Sequence, residues 1–255
     1  MSMLIPIRDL NPTRRFPVVT LVLIGANVLA FFAASSGLGI SEGAAYRWGA
    51  VPCDVFNHCP TLTQQLEVAF PNRSSLMSIF TSMFMHADIL HLGFNMLFLW
   101  VFGNNVEDRL GRIRFPIFYV ATGLAAAFAH MLVSAESVVP VIGASGAVSG
   151  VLGAYAVLWP GATVIALVPI FFFFFTTRLP AWIMLGIWFL VQLLGSAAGF
   201  GRATGEQGGV AYLAHVGGFI AGVVLIFVFG GYQRSPRGPL DPRGDPFGDR
   251  RSPFE

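Results

Sequence analysis

Apolar residues run in long blocks along this chain, with the polar residues gathered between them. The first block, Phe16–Ser35, carries no charge. Further blocks cover His86–Gly103, Phe115–Ser134, Ser145 up to the stop at Pro160-Gly161, Pro180–Ala198 and Val210–Phe229. A helix rising about 1.5 Å per residue needs roughly 20 apolar residues to cross roughly 30 Å of hydrocarbon. The pattern therefore predicts six membrane-spanning helices. Val164–Phe175 is apolar as well, but at that rise it reaches only about 18 Å, so it reads as an interfacial or re-entrant loop. Ser36–Phe84 is a long polar connection rich in Gly, Pro, Asn and Ser. No fixed-period repeat is visible. The fold class expected is all-α: one polytopic membrane bundle over residues 16–231, preceded by segment 1–15. The tail, residues 232–255, is rich in Arg, Pro, Gly and Asp and is expected to be disordered.

Composition agrees with the pattern. Of 255 residues, 55% are apolar and 11% charged, and the mean hydropathy is +0.70. A soluble domain carries roughly 25% charge, so a water-soluble globule, a coiled coil and a disordered chain are excluded. All 15 basic residues are arginine, and a net charge of +2 is too small to argue for nucleic acid. Arginine placement orients the spans. With both termini on the cytoplasmic side, 12 of the 15 arginines lie inside, while the outer loops hold three arginines and six acids. Met1–Arg15 has no apolar core and no cleavage site, so the first block reads as a retained span. A six-span core without an added targeting segment suggests a bacterial inner membrane. Cys53 and Cys59 are too few for a disulfide framework. They share the outer loop, which would face an oxidising compartment, so a bond between them is a hypothesis that the sequence leaves open.

Polar side chains inside spans are costly and are candidates for function. Ser145 stands in Gly143-Ala144-Ser145-Gly146, where glycines leave room around the hydroxyl. Gly146 and Gly150 also form a GxxxG pattern, which packs helices with no chemistry attached. His215 lies near the outer end of the last span, with Gly218 and Gly222 on its face at i+3 and i+7. That stripe suits a second small-residue helix, such as the one with Ser145 and Ser149. His91 and Asn95, at i and i+4, offer neutral donors on one face, which suits an oxyanion better than a metal. Hydrogen bonding between helices is the plainer alternative for them. His86 and His91 are about 140° apart around a helix, a poor pair for one metal, and the spacing is not His-Glu-x-x-His. Asn27 and His130 are isolated and read as structural. A serine nucleophile needs a base, and histidine is the usual one. No acid lies within a span, so Ser145 and His215 form a dyad rather than part of a triad. Ser145 to Trp159 covers about 22 Å, which sinks Ser145 below the outer face. The irregular Pro140–Ala144 stretch must then be buried in protein or line a wet cavity.

With these stretches in hand, the chain resembles the rhomboid family of intramembrane serine proteases. The matching residues are His86-x4-His91-x3-Asn95-Met96, Phe102-Gly103-x3-Glu107, Gly143-Ala144-Ser145-Gly146 and Ala214-His215-Val216-Gly217-Gly218 with Gly222. They follow the family order on the second, fourth and sixth helices, and the resemblance covers about Phe16–Gly231. It implies a six-helix rhomboid-like bundle in which Ser145 is the nucleophile and His215 the general base. The side chains of His91 and Asn95, with the Ser145 N–H, would hold the oxyanion. His86, Gly143, Gly146, Gly218 and Gly222 match positions that shape the site. Glu107 and Arg109 match a stabilising loop on the cytoplasmic side. The fifth helix and the loop before the sixth resemble a lateral gate and cap. The implied partners are the lipid bilayer and single-span membrane proteins cleaved in or near their spans, and no metal or cofactor is implied. Some bacterial relatives carry a tyrosine that stacks on the catalytic histidine; Ser149 stands there in this chain, so another group must orient His215. Tyr46-Arg47-Trp48 matches the family's Trp-Arg pair only loosely. Two other readings compete: a catalytically inactive rhomboid-like protein that binds membrane clients, and a small transporter. The second would be expected to show inverted repeats, and none is visible.

Overall fold

Pro17 ends the N-terminal segment and hands the chain to α1 (Val18–Ala34), which has no side-chain cap of its own. In this computed structural model, which describes residues 4–170, 173–199 and 211–231, Glu107 supplies that cap from elsewhere. Its buried carboxylate accepts from Val19 N at 3.0 Å, Thr20 N at 2.7 Å and the Thr20 hydroxyl at 2.7 Å. An anion at a helix N-terminus satisfies unpaired N–H groups and complements the helix dipole. The expected stabilising role of this loop has its physical cause there. Arg109 adds a tie, donating from Nε to the Gly231 carbonyl.

The polar connection after α1 is built into a lobe. It holds the short ladder β2 (Ser35–Ser36) and β3 (Gly39–Ile40), then α2 (Glu42–Trp48), α3 (Pro52–Val55), α4 (Pro60–Ala69), α5 (Ser75–Thr81) and a 3₁₀ turn at Ser82–Phe84. Ser41 and Ser74 cap α2 and α5 by accepting from Ala44 N and Met77 N. Cys53 and Cys59 are joined in a disulfide with Cα atoms 5.4 Å apart, as their shared loop suggests. Beside it Arg73 Nη1 meets Asp54 Oδ2 at 2.5 Å, with both side chains under 5% exposed. Burial pushes the Asp54 carboxyl up, but hydrogen bonds from Arg73, Ser75 and Thr63 outweigh it and hold it below its ordinary value.

Asp88 then caps α6 (Ile89–Val133), accepting from Leu90 N and His91 N at 2.8 Å each. The 45 residues of α6 are two helices, the expected second and third, meeting at a kink at Gly111. Gly111 has φ +82°, a conformation open to glycine and closed to most side chains. Pro116 lies five residues beyond the break, near the start of the second helix. α7 (Ser145–Leu158) is buried from Gly146 through Tyr155, wedged between α6 and α9 (Tyr212–Val228). α8 (Ala181–Gly199) lies at the edge against α9. Among the described residues, Ile89–Val133 is the one helical run that is long and apolar enough to cross a membrane; α1, α7, α8 and α9 run 14–19 residues.

The all-helical expectation fails at the short β2–β3 ladder and, more extensively, at a three-stranded sheet. Val164–Phe175 is not a re-entrant loop but part of an antiparallel hairpin, β4 (Thr163–Ile170) and β5 (Phe173–Pro180). β1 (Ile5–Asp9) joins it in the order β1-β4-β5, pairing Ile5 with Leu167 and Asp9 with Val164. The run is uniformly apolar and lacks the alternation that marks a half-buried strand, so its period is silent. Asp9 fastens this sheet to the helices: Oδ2 accepts from Tyr155 OH and from Asn105 Nδ2, both at 2.7 Å. Burial pushes the Asp9 carboxyl above its ordinary value, and the hydrogen bond from Tyr155 opposes it. The loop before the last helix, expected to resemble a cap, and the tail 232–255 lie outside the described residues.

Candidate active site

α7 and α9 meet backbone to backbone. A Cβ on Gly218 would overlap the Gly146 carbonyl, and one on Gly222 would overlap the Gly150 carbonyl. Gly146 also faces Ala126 of α6, and Gly150 faces Thr122. The glycine stripe thus packs helices, as the plainer reading held, and by doing so it sets where the polar residues fall. Ser145 is the first residue of α7, immediately before Gly146. His215 precedes Gly218 by three residues on α9. Both stand at one end of the same helix crossing.

The approach to Ser145 is irregular and is tied at Val141, Gly143 and Ala144. Val141 and Ala50 exchange backbone hydrogen bonds at 2.7 and 3.1 Å, Gly143 N donates to Ser82 O at 2.9 Å, and Ala144 N approaches His86 Nε2 at 3.5 Å. Lobe and turn residues therefore satisfy a segment that lipid could not. Gly143 has φ +127°. A Cβ there would sit 3.0 Å from His91 Nε2 and 3.5 Å from Ser145 Oγ, so the missing side chain keeps open the space shared by those two groups. Ala87 N donates to His91 Nδ1 at 3.3 Å, which leaves the ring proton on Nε2, the nitrogen on the Ser145 side. Asn95 is buried and spends one amide proton on His91 O at 3.0 Å, keeping a second. α7 has no side-chain cap, and the N–H of its first residue, Ser145, has no partner within the helix. His86 packs edge-on to the His91 ring, with centroids 5.1 Å apart, and is fully buried. It supports the site without reaching the Ser145 hydroxyl by any hydrogen bond.

His215 does not rest on residue 149. The Ser149 hydroxyl turns back to Ser145 O at 2.6 Å. His215 Nδ1 instead lies 2.8 Å from Gln192 Oε1 of α8, and the Trp188 ring lies alongside, with centroids 6.0 Å apart. Gln192 is absent from the set derived from sequence. The signal that finds it is the one that found the others: a polar side chain inside an apolar span. Among the described residues no hydrogen bond joins the Ser145 hydroxyl to the His215 ring. Catalytic hydrogen bonds are often long without substrate and tighten when it binds. Among the described residues no three of His, Cys, Asp and Glu converge as a metal ion requires. The arrangement offers a hydroxyl at a helix N-terminus, N–H donors beside it, and an imidazole on the adjoining helix.

Known proteins share this layout in sequence. A family profile, the Rhomboid domain, matches residues 73–232. The mitochondrial rhomboid protein 1 of Saccharomyces cerevisiae is 34% identical over 191 residues, 73% of this chain and 50% of the yeast protein. The rhomboid protease GluP of Bacillus subtilis is 41% identical over 76 residues, 30% of this chain and 14% of that one. The presenilin-associated rhomboid-like protein A, mitochondrial, of Danio rerio is 27% identical over 160 residues, 58% of this chain and 42% of that one. The chain spans half or less of the length of each of these relatives. The profile takes in the lobe's end, α6, α7 and α9 with every candidate site residue, and on it this chain belongs to the rhomboid family, whose members are integral membrane proteins.

Proposed function

We propose that this protein is an intramembrane serine endopeptidase that hydrolyses peptide bonds in or near the spans of single-span membrane proteins. The observation that carries the reading is the shared space at Gly143, bounded by the Ser145 hydroxyl on one side and the His91 Nε2 donor on the other. Ser145 Oγ attacks the scissile carbonyl while His215 Nε2 takes its proton. The oxyanion is received by His91 Nε2–H, the second amide proton of Asn95 and the Ser145 N–H at the positive end of α7. His215 then gives its proton to the leaving amine, and water enters to release the acyl group from Ser145 by the same steps in reverse order of roles. The chemistry needs no metal. The bundle sits in the bilayer as six spans with both termini on the cytoplasmic side, an orientation that the arginine distribution favours. The bacterial inner membrane expected from the sequence draws no support from relatives named as mitochondrial.

The test is run on purified protein with a fluorophosphonate probe and a single-span reporter. Wild type labels and cleaves; Ser145→Ala and His215→Ala, folded to the same extent, lose at least about 10³-fold in cleavage. Cleavage that persists in Ser145→Ala would end this site assignment. A well-folded wild type that neither labels nor cleaves any reporter would leave the inactive, client-binding reading in its place.

A further inference from the structure

α8 carries a primary amide where its neighbours in sequence are Val191 and Leu193. Gln192 is only 5% exposed. A buried amide without partners costs free energy, so its contact deserves a cause. The contact is His215 Nδ1, 2.8 Å from Oε1. The rest of that α8 face is shaped around the same histidine. Trp188, four residues earlier, stacks near the His215 ring at 6.0 Å and near Phe219 at 6.1 Å. Gly195, three residues later, leaves room for Tyr212, whose ring carbons would lie 2.7 Å from a Cβ there. Tyr212 in turn meets the His215 ring edge-on, with centroids 6.5 Å apart. Residues 188, 192 and 195 share one helical face.

We propose that Gln192 is the positioning residue for His215. The inference rests on the dyad reading. A general base toward Ser145 needs a lone pair on Nε2, so the ring proton must reside on Nδ1. In that tautomer Nδ1–H donates to Gln192 Oε1. The amide carbonyl then selects the productive tautomer and fixes the ring's rotation about its Cβ–Cγ bond. It does so as a neutral dipole, where a triad would use a carboxylate. Ser149 leaves this role vacant, since its hydroxyl is committed within α7. Because Gln192 stands on α8 and His215 on α9, the base is oriented by how α8 seats against α9, not by the nucleophile's own helix.

Two substitutions and one spectroscopic measurement test this. Gln192→Met keeps length and volume but removes the acceptor. It is expected to lower kcat about tenfold, the scale of one hydrogen bond, with KM within about twofold of wild type. Gln192→Glu restores an acceptor and adds charge. It is expected to keep cleaving and to move the acid limb of the kcat/KM profile to higher pH, since a carboxylate favours the imidazolium. The other titratable groups that act on His215, His91 and His130 of α6 and Tyr212 of its own helix, are the same in both variants. In wild type, ¹⁵N-histidine spectra are expected to show His215 protonated at Nδ1 and bare at Nε2. The reverse tautomer overturns the proposal even if neither variant folds. So does a folded Gln192→Met with wild-type kcat, or a Gln192→Glu profile unchanged from wild type. If Ser145→Ala remains active, the dyad itself has failed. If Ser145→Ala and His215→Ala are dead while Gln192→Met is unaffected, only the role of Gln192 has.

Discussion

At the scale of single residues, Gly143 is the most constrained position in the site. Its φ of +127° belongs to glycine, and the place of its absent Cβ lies 3.0 Å from the His91 ring. Gly143→Ala is therefore expected to lower stability by about 2 kcal/mol through backbone strain. On the proposed mechanism it should also lower cleavage by more than about 10²-fold, because His91 must turn away from the proposed oxyanion position. Thermal unfolding and steady-state cleavage, measured on the same preparation, check the two effects separately. A variant that unfolds earlier but cleaves normally would place Gly143 outside the chemistry. The residue scale is also where sequence reading reached furthest. A side chain that costs several kcal/mol in hydrocarbon announces itself by composition alone, which is how Ser145, His215, His91 and Asn95 stand out. Tautomers and hydrogen-bond partners are not written there. His91 carries its proton on Nε2 because Ala87 N occupies Nδ1, a contact made by the turn before α6.

At the scale of elements, α7 explains why so many glycines are present. A helix buried from Gly146 to Tyr155 has no face for large side chains. Its glycines admit the carbonyls and small side chains of α6 and α9. Gly222→Ala pushes a methyl group into the Gly150 carbonyl and is expected to cost about 2 kcal/mol. Gly186→Ala on the exposed face of α8 meets nothing within 4 Å. It is expected to be neutral or to stabilise by up to about 1 kcal/mol through helix propensity. Unfolding midpoints of the two variants measured side by side decide this; equal losses would mean that the α7–α9 contact does not depend on the missing Cβ of Gly222. The helices were legible because their apolar runs are long. The β4–β5 hairpin was not, because Val164–Phe175 is one unbroken apolar run with no alternation, and the choice between loop and strand is made by pairing with β1, more than 150 residues away in sequence.

At the scale of the molecule, the lobe between α1 and α6 is a second small core joined to the site. It is stapled by Cys53–Cys59 and by the buried pair Asp54–Arg73. It also supplies Ala50 and Ser82, which hold the chain on either side of Ile142 just ahead of Ser145. Asp54→Asn leaves Arg73 buried without its countercharge, and is expected to cost about 3 kcal/mol. The pH dependence follows from the carboxyl's lowered value. The contribution is complete above the ordinary value of 3.8 and is lost as pH falls through the lower folded value. Wild type and Asp54→Asn should thus differ in unfolding midpoint at neutral pH and converge below about pH 4. A constant gap down to the most acid pH would show that the ion pair is not its source. Cleavage by Asp54→Asn is expected to weaken with the lobe, since the Ala50–Val141 ladder borders the approach to Ser145.

The sequence by itself determined the solvent, the helical character and the chemical inventory. Long uncharged runs suit a bilayer, in keeping with the family match, and most of the costly polar groups within them can be named. Their order and spacing also carried the family resemblance that the Rhomboid profile supports. Tertiary structure decided the rest: that an apolar run pairs as strands, that Glu107 caps a helix 87 residues away, and that Gln192, not residue 149, meets the His215 ring. The reason is common to all three. Hydropathy and periodicity report where a residue prefers to be, one segment at a time. Hydrogen-bond partners and close helix contacts depend on which segments meet, and that is set only when the whole bundle packs.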